Sequence, residues 1–284
     1  MHYLAPGTQD LIKLAIAEDL SGGDITTFAT IPPELTTTAD VQVKAPGVIA
    51  GMAVAEAVCR AIDPTLRFVA HVQEGDRVPA GTIAATITGS ARSTLMAERT
   101  LLNFLQRLSG IATLTARYVD AIAHTKARLV DTRKTTPGWR ALEKAAVRAG
   151  GGTNHRFNLS DGILIKDNHL ALGGMDIAAA VARARANAPH TVRIEVEVED
   201  LNGVRAALAA GADIIMLDNM ELAAMREAVS LVAGQALLEA SGGISLERIA
   251  AVAETGVDLI SCGAVTHSAT ALDISLDIAP QSSR

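Results

Sequence analysis

The sequence is poor in residue types that define several protein classes. Its 284 residues include two cysteines, one tryptophan, two tyrosines and four phenylalanines, and aromatic residues make up 2% of the chain. Two cysteines do not imply a disulfide framework, and they fit a reducing compartment. So few aromatic side chains cannot build a base-stacking platform for single-stranded nucleic acid.

Positive charge is also scarce. The formal net charge is −6 at pH 7, which argues against a broad surface for binding a phosphate backbone. An anionic ligand must therefore be held by a local cluster of basic side chains and not by the overall field of the protein.

Long apolar runs are missing as well. The longest candidate, Val48 to Ile62, is interrupted by Glu56 and Arg60, so we expect no membrane-spanning helix. Met1 to Asp10 lacks the basic start and apolar run of a signal peptide. With 49% hydrophobic residues the chain can bury a sizeable core, and we expect a cytoplasmic enzyme.

The first third of the chain mixes helix and strand patterns. Helical spacing at Leu11–Leu20 and Val54–Ile62 flanks an alternating, strand-like segment at Thr38–Val43. We predict a small N-terminal α/β sandwich domain over residues 1–110, with a C-terminal tail of about 270–284 packing on it.

One segment of this domain, His71 to Thr82 and the alternating run after it, resembles half of a biotinyl or lipoyl carrier domain. A carrier needs an acceptor lysine in a tight hairpin, and no lysine lies between Lys44 and Lys126. A structural hairpin is the better interpretation.

From about residue 127 strand and helix patterns alternate regularly. Strand-like runs lie at Ala127–Val130, Gly162–Ile165, Val192–Val198, Asp213–Leu217, Ala236–Ala240 and Val257–Ser261. Polar or small residues near their ends recur at intervals of 21 to 23 residues, which favours a barrel over a doubly wound sheet. Six strands are fewer than the eight of a complete barrel, so residues 111–284 predict an irregular, open or incomplete βα barrel.

The carboxyl ends of barrel strands carry active sites, and here they are rich in basic residues. Arginine grips carboxylates with two hydrogen bonds, and lysine meets phosphate as a point charge. Among these residues stand two carboxylates, Glu195 and Asp218, a donor type that suits Mg²⁺ held jointly with phosphates. The pattern predicts a site for a polyanionic substrate and a divalent cation.

The same stretches resemble the quinolinate phosphoribosyltransferase family (nicotinate-nucleotide pyrophosphorylase, carboxylating; type II phosphoribosyltransferases). The resemblance follows the motif order of the family along essentially the whole chain, and it is carried by Glu98–Asn103, Leu108–Thr113, Asp131–Thr135, His155–Arg156, Ile165–His169, Glu195–Glu197, Leu217–Asn219, Ser241–Ile244 and Gly263–Ser268. Any one of these motifs alone is weak evidence for the family, because short motifs are common. The ordered set is strong evidence for it.

The resemblance implies a reaction and a set of roles. Quinolinate and phosphoribosyl pyrophosphate would give nicotinate mononucleotide, pyrophosphate and CO₂ in NAD biosynthesis, with Mg²⁺, in a homodimer or larger homo-oligomer with shared sites. The implied catalytic residues are Lys134, Lys166, Glu195 and Asp218, with Glu195 and Asp218 as metal ligands. The implied substrate-binding residues are these four with Thr132, Arg133, His155, Arg156, Ser241, Gly242, Gly243, Cys262, Gly263, Ala264, His267 and, from the neighbouring subunit, Arg99.

Two positions depart from the pattern of the family. Ala240 stands where relatives often have serine, and Cys262 stands where they have an aliphatic residue. Both are small, so any side-chain role at these positions is in doubt. We interpret Cys262 as a small residue at a crowded turn and His169 as a structural cap. Glu197 is suited at least as well to an internal ion network as to a ligand-binding role.

Other functions fit parts of the same pattern. An aldolase-like barrel could use Lys166 or Lys134 as a Schiff-base nucleophile, and trapping with borohydride would detect it. The basic cluster could also belong to a non-catalytic oxyanion-binding protein, or to a nicotinate-specific transferase that does not decarboxylate. CO₂ release from quinolinate separates both from the main hypothesis.

Overall fold

The computed structural model describes residues 7–278. Their contacts divide them into two units. One unit contains the residues up to Ala116, Thr135–Gly151 and the residues from Ser268 onward. The other contains Arg117–Lys134 and Gly152–His267.

The elements follow one another in mixed order in the first part of the chain and alternate regularly afterwards. They are α1 (Thr8–Leu20), α2 (Ile25–Thr30), β1 (Thr36–Val43), β2 (Gly47–Val48), α3 (Met52–Ile62), β3 (Arg67–Ala70), β4 (Arg77–Val78), β5 (Ile83–Ser90), α4 (Ala91–Ile122), β6 (Arg128–Val130), α5 (Arg140–Ala149), β7 (Ile163–Ile165), α6 (Asp167–Gly173), α7 (Ile177–Asn187), β8 (Ile194–Val198), α8 (Leu201–Ala209), β9 (Ile214–Asp218), α9 (Leu222–Val232), β10 (Leu237–Ser241), α10 (Ile249–Ala253), β11 (Leu259–Ser261), α11 (Ala264–His267) and β12 (Ile274–Ile278).

The first unit is built on an antiparallel sheet with the strand order β12-β1-β5-β3. Alternate residues of β1, namely Ala39, Val41 and Val43, are fully buried, while the residues between them are not. This alternation is the pattern that predicted the strand. The C-terminal strand β12 pairs with β1; residues 279–284 of the predicted tail lie outside the described residues.

Helix α4 passes through the domain boundary predicted near residue 110. It continues through Ser109-Gly110 to Ile122. A Cβ at Gly110 would lie 2.1 Å from the carbonyl oxygen of Thr270. The glycine is therefore required for close packing and does not mark a break in the helix.

The second unit contains the six parallel strands that the sequence predicted, in the order β6-β11-β10-β9-β8-β7. The two edge strands, β6 and β7, do not pair with each other, and Thr153 forms an isolated bridge to Val130 of β6. The prediction of an incomplete βα barrel is confirmed. Within residues 7–278, every helix is too short or too polar to span a bilayer.

Each strand of this unit has one fully apolar face. Val196 and Ile215 are fully buried, and they alternate with Glu195 and Glu197 on β8 and with Asp218 on β9. Because side chains point alternately to the two faces of a sheet, the polar residues share the face opposite the apolar core. This alternation sets the chemistry of the site.

Candidate active site

The carboxyl ends of the parallel strands carry most of the predicted site residues. Thr132, Arg133 and Lys134 follow β6, and Lys166 directly follows β7. Asp218 and Ser241 are the last residues of β9 and β10 and lie opposite each other in the register. The fold therefore brings these residues to one edge of the barrel.

Glycines at this edge are under steric constraint. Gly242 has φ 87°, and a Cβ there would lie 2.2 Å from Oδ1 of Asn219. A Cβ at Gly263 would lie 3.0 Å from Cδ of Lys134 and 3.1 Å from Nε2 of His267. The backbone after β10 and β11 thus runs close to neighbouring side chains, and at Gly263 these are two residues predicted to bind phosphate, Lys134 and His267.

The loop after β6 is tied to the loop after β11. The hydroxyl of Thr266 donates to the carbonyl oxygen of Lys134 at 2.8 Å, and the Lys134 amide donates to the Thr132 hydroxyl at 3.0 Å. The bond within Thr132–Lys134 is local and the bond from Thr266 joins distant parts of the chain; together they fix the backbone of a loop that must present charged side chains.

Cys262 is a packing residue in this geometry. It is 2% exposed, and its thiol lies 3.6 Å from the carbonyl oxygen of Ile244. Burial raises the pKa of the Cys262 thiol, and the neutral thiol is a poor nucleophile. A nucleophilic role is therefore disfavoured, as the sequence indicated.

Two arginines lie close enough for their charges to interact. Burial, and then the neighbouring charge of Arg133, lower the pKa of Arg156, and the Glu195 carboxylate opposes this shift. Arg156 donates to the carbonyl oxygen of Gly162 at 3.0 Å. Bringing two guanidinium groups together is unfavourable unless an anion joins them. The pair is suited to a ligand with more than one carboxylate.

A buried cluster joins one imidazole to two carboxylates. Nε2 of His155 lies 3.1 Å from Oε2 of Glu195 and 3.6 Å from Oε1 of Glu239. Glu195 is 4% exposed and Glu239 is fully buried. Burial first, and the Glu195 charge second, raise the pKa of Glu239 to about 7. Potential ligand atoms of the three side chains all lie within 4.8 Å of one another.

The position of His155 is also fixed through its main chain. Its amide donates to Oδ1 of the fully buried Asp131 at 2.8 Å, and the side chain of Asn154 donates to Oδ2 at 2.7 Å. The Asp131 carboxylate thus holds the His155 segment beside the end of β6. No role was predicted for Asp131 or Glu239, although the spacing of Glu239 and Ser241 along β10 would place both on one face.

Lys166 forms an ion pair with Glu197 on the neighbouring strand β8. The backbone amide of Lys166 also donates to Nδ1 of His169 at 2.9 Å, which is the structural capping role predicted for His169. The internal ion pair considered for Glu197 is present.

The two carboxylates predicted to share a metal ion are not at the same level of the barrel. Glu195 lies opposite Ile214, whereas Asp218 comes four residues later on β9. At about 3.3 Å per residue the two levels are roughly 13 Å apart along the strand. The structure therefore separates Glu195 from Asp218 and brings Glu195 to His155 instead.

Arg99 is an exposed residue of α4 and belongs to the first unit. The remaining predicted residues belong to the second unit. A cavity of about 580 Å³ in that second unit is lined by His155, Arg156, Glu195 and Glu239, and it extends to Arg128 and Arg193 near the amino ends of the strands. Asp218 and Ser241 do not line this cavity.

Comparison with known families identifies the family to which the chain belongs. Residues 24–109 match the N-terminal domain of quinolinate phosphoribosyl transferase, and residues 111–277 match its C-terminal domain. The chain belongs to the quinolinate phosphoribosyl transferase family. Membership makes it a pentosyltransferase of pyridine nucleotide biosynthesis and sets aside the aldolase-like and non-catalytic hypotheses.

Relatives within this family are similar over nearly their full lengths. The chain is 45% identical over 268 residues to the probable nicotinate-nucleotide pyrophosphorylase [carboxylating] of Bacillus subtilis, covering 94% of this chain and 92% of that relative. It is 46% identical over 276 residues to the Mycobacterium leprae enzyme of the same name, covering 95% and 96%. The crystal structure of NadC from Streptococcus pyogenes superimposes with a TM-score of 0.94 at 43% identity, covering 98% and 99%.

Proposed function

We propose that this chain joins quinolinate to phosphoribosyl pyrophosphate and releases pyrophosphate and CO₂, giving nicotinate mononucleotide. The observation that carries the proposal is that His155 and Arg156 line one cavity, with Arg133 near enough to lower the pKa of Arg156, in a chain that matches both domains of the family. Quinolinate has two adjacent carboxylates, and two guanidinium groups with an imidazole offer matching charge-assisted donors.

The sugar phosphate binds at the carboxyl ends of the last strands. Ser241, Gly242 and Gly243 follow one another at the end of β10, and Gly263 brings the backbone close to Lys134 and His267. Backbone amides of a glycine-rich turn and two basic side chains suit the 5′-phosphate. Cys262 and Ala264 complete this loop through their backbone.

The family implies Mg²⁺, and the donor set at the end of β9 fits it. Asp218 is a partly exposed carboxylate that accepts from the side chain of Asn219 at 3.0 Å. Mg²⁺ prefers one or two carboxylates together with waters and phosphate oxygens. Asp218 would hold the ion jointly with the pyrophosphate, and the bound ion would neutralise charge on the leaving group. Glu195 contacts His155, and we do not propose it as a ligand of this ion.

The protein contributes to this reaction by positioning the two substrates and by placing charged side chains beside them. The bond between ribose C1 and the pyrophosphate oxygen breaks with its electron pair on pyrophosphate, and the quinolinate nitrogen forms the new bond to C1. The carboxylate beside that nitrogen then leaves as CO₂, and its electron pair at the ring carbon takes up one proton. Lys134 and Lys166 stabilise the departing pyrophosphate, and the arginines hold the ring in line.

The assembly proposed is a cytoplasmic homodimer or larger homo-oligomer in which Arg99 completes the quinolinate site of a neighbouring subunit. Two observations support this setting. Arg99 is exposed on α4 and available to a partner, and Cys59 and Cys262 are both free thiols.

The direct test is incubation with quinolinate, phosphoribosyl pyrophosphate and Mg²⁺. We expect nicotinate mononucleotide, pyrophosphate and CO₂ in equal amounts, no turnover with EDTA, and recovery on adding Mg²⁺. Nicotinate in place of quinolinate is the control. Turnover of nicotinate without turnover of quinolinate would overturn the proposal in favour of a transferase that does not decarboxylate.

A further inference from the structure

The fully buried carboxylate of Glu239 has no assigned role in the reaction, yet it reaches a substrate-binding side chain. Within residues 7–278 neither of its oxygens has a hydrogen-bond partner of normal geometry, although the Ser261 side chain is near enough to lower its pKa. Its ion-pair contact is with Nε2 of His155 at 3.6 Å. An ionisable side chain is rarely placed in a barrel interior without a partner, because an uncompensated buried charge is costly.

The geometry defines how His155 is oriented. In the 3.1 Å contact with Glu195, a hydrogen on Nε2 of His155 would be donated to the carboxylate oxygen. Glu195 and Glu239 approach this one nitrogen from β8 and β10. The ring is thereby held with its Nε2 edge toward the two carboxylates.

The same contacts hold the ring at the wall of the cavity of about 580 Å³. His155 and Arg156 line this cavity together with Glu195 and Glu239, and Glu239 contacts His155 there at 3.6 Å.

We propose that Glu239 is a positioning residue which, acting through His155, sets the orientation in which that imidazole contacts quinolinate. This inference rests on the proposed function for the identity of the substrate. It does not make Glu239 a catalytic residue, because its contact is with His155 and not with the reacting atoms. Glu195 shares the task and contributes the shorter contact.

The test is a double-mutant cycle of Glu239→Gln and His155→Gln, with steady-state constants measured for both substrates. Glu239→Gln alone should raise the KM for quinolinate about tenfold, because an imidazole held less firmly makes a poorer hydrogen bond to the substrate. It should leave the KM for phosphoribosyl pyrophosphate within about twofold, because the sugar phosphate is bound elsewhere. In the His155→Gln variant, the further change Glu239→Gln should have almost no effect, because the side chain through which Glu239 acts is already missing.

A matched control is Met216→Leu, since Met216 is a buried residue directly opposite Glu239 in the register of β9 and β10. This volume-conserving change should leave both KM values near those of the parent. If Glu239→Gln and His155→Gln are additive, or if Glu239→Gln weakens both substrates equally while lowering the melting temperature, Glu239 is a structural residue and the inference is wrong.

Two further measurements distinguish the positioning role of Glu239 from a metal-binding role. Nitrogen NMR of the seven histidines, with His155 assigned through its variant, should show a changed ring signal in Glu239→Gln but not in Met216→Leu. This measurement needs no turnover, so it tests the contact even if quinolinate is not the substrate. A stoichiometric divalent metal in the purified protein that Glu239→Gln loses would instead make the cluster a metal site and overturn the inference.

Discussion

Lys166 and Glu197 form an ion pair between the end of one barrel strand and the middle of the next. The pair holds a lysine that the proposed reaction needs for the departing pyrophosphate. Glu197→Gln should therefore lower kcat about tenfold, because a loosely held catalytic group is less often in position. Lys166→Met should lower it a hundredfold or more. Equal kcat values for Glu197→Gln and the parent would show that the ion pair is only structural.

The neighbouring arginines Arg133 and Arg156 give a second prediction. Arg133→Ala and Arg156→Ala should each lower kcat/KM for quinolinate by two to three orders of magnitude, since a charge-assisted contact contributes about 1.5–3 kcal/mol and neighbouring contacts weaken with it. Circular dichroism should show an unchanged fold. Arg226→Ala, which removes an exposed arginine of α9, serves as the control. Near-normal activity in both variants would remove quinolinate as the assigned substrate.

The proposed sharing of sites between subunits is testable by complementation. Arg99→Ala and Lys166→Met should each be inactive as pure proteins. Mixing them under conditions of subunit exchange should restore part of the activity, because some hybrid sites contain neither change. If exchange is confirmed by mass spectrometry and activity stays absent, each site is built within one chain.

The first unit contains a buried ion pair whose loss should be costly. Glu143 is fully buried, and its carboxylate accepts from Nη2 of Arg107 at 2.8 Å and from the Thr136 hydroxyl at 2.8 Å. Glu143→Ala leaves the Arg107 charge in place without this carboxylate, so we expect a loss of about 3–5 kcal/mol in unfolding free energy. Urea unfolding measures it. Glu56→Ala, which removes an exposed i,i+4 partner of Arg60, should cost less than about 0.5 kcal/mol.

The thiols should be inert in the folded protein. Burial raises the pKa of Cys59 to about 12 and also raises the pKa of Cys262. Thiolates are the reactive form, so iodoacetamide at pH 8 should modify neither cysteine in minutes, whereas both should react in guanidinium chloride. Rapid labelling of Cys262 in the native protein would contradict its role as a packing residue.

The sequence by itself determined the six parallel strands and most of the candidate site. Apolar runs of strand length recur at a nearly constant interval, and in a parallel sheet this repetition places every strand end at the same edge. For that reason Arg133, Lys166, Asp218 and Ser241 could be assigned to one edge from the order of residues alone. Motif order along the chain then sufficed to indicate the family.

Only the tertiary structure decided which of these residues are neighbours. Sequence spacing does not give the register between strands, and a difference of four residues in register moves a side chain by roughly 13 Å. That difference separates Glu195 from Asp218 along the strands, and the Glu195 carboxylate contacts His155. The role of Glu239 and the passage of α4 through Gly110 depend likewise on contacts between distant segments, which no local pattern records.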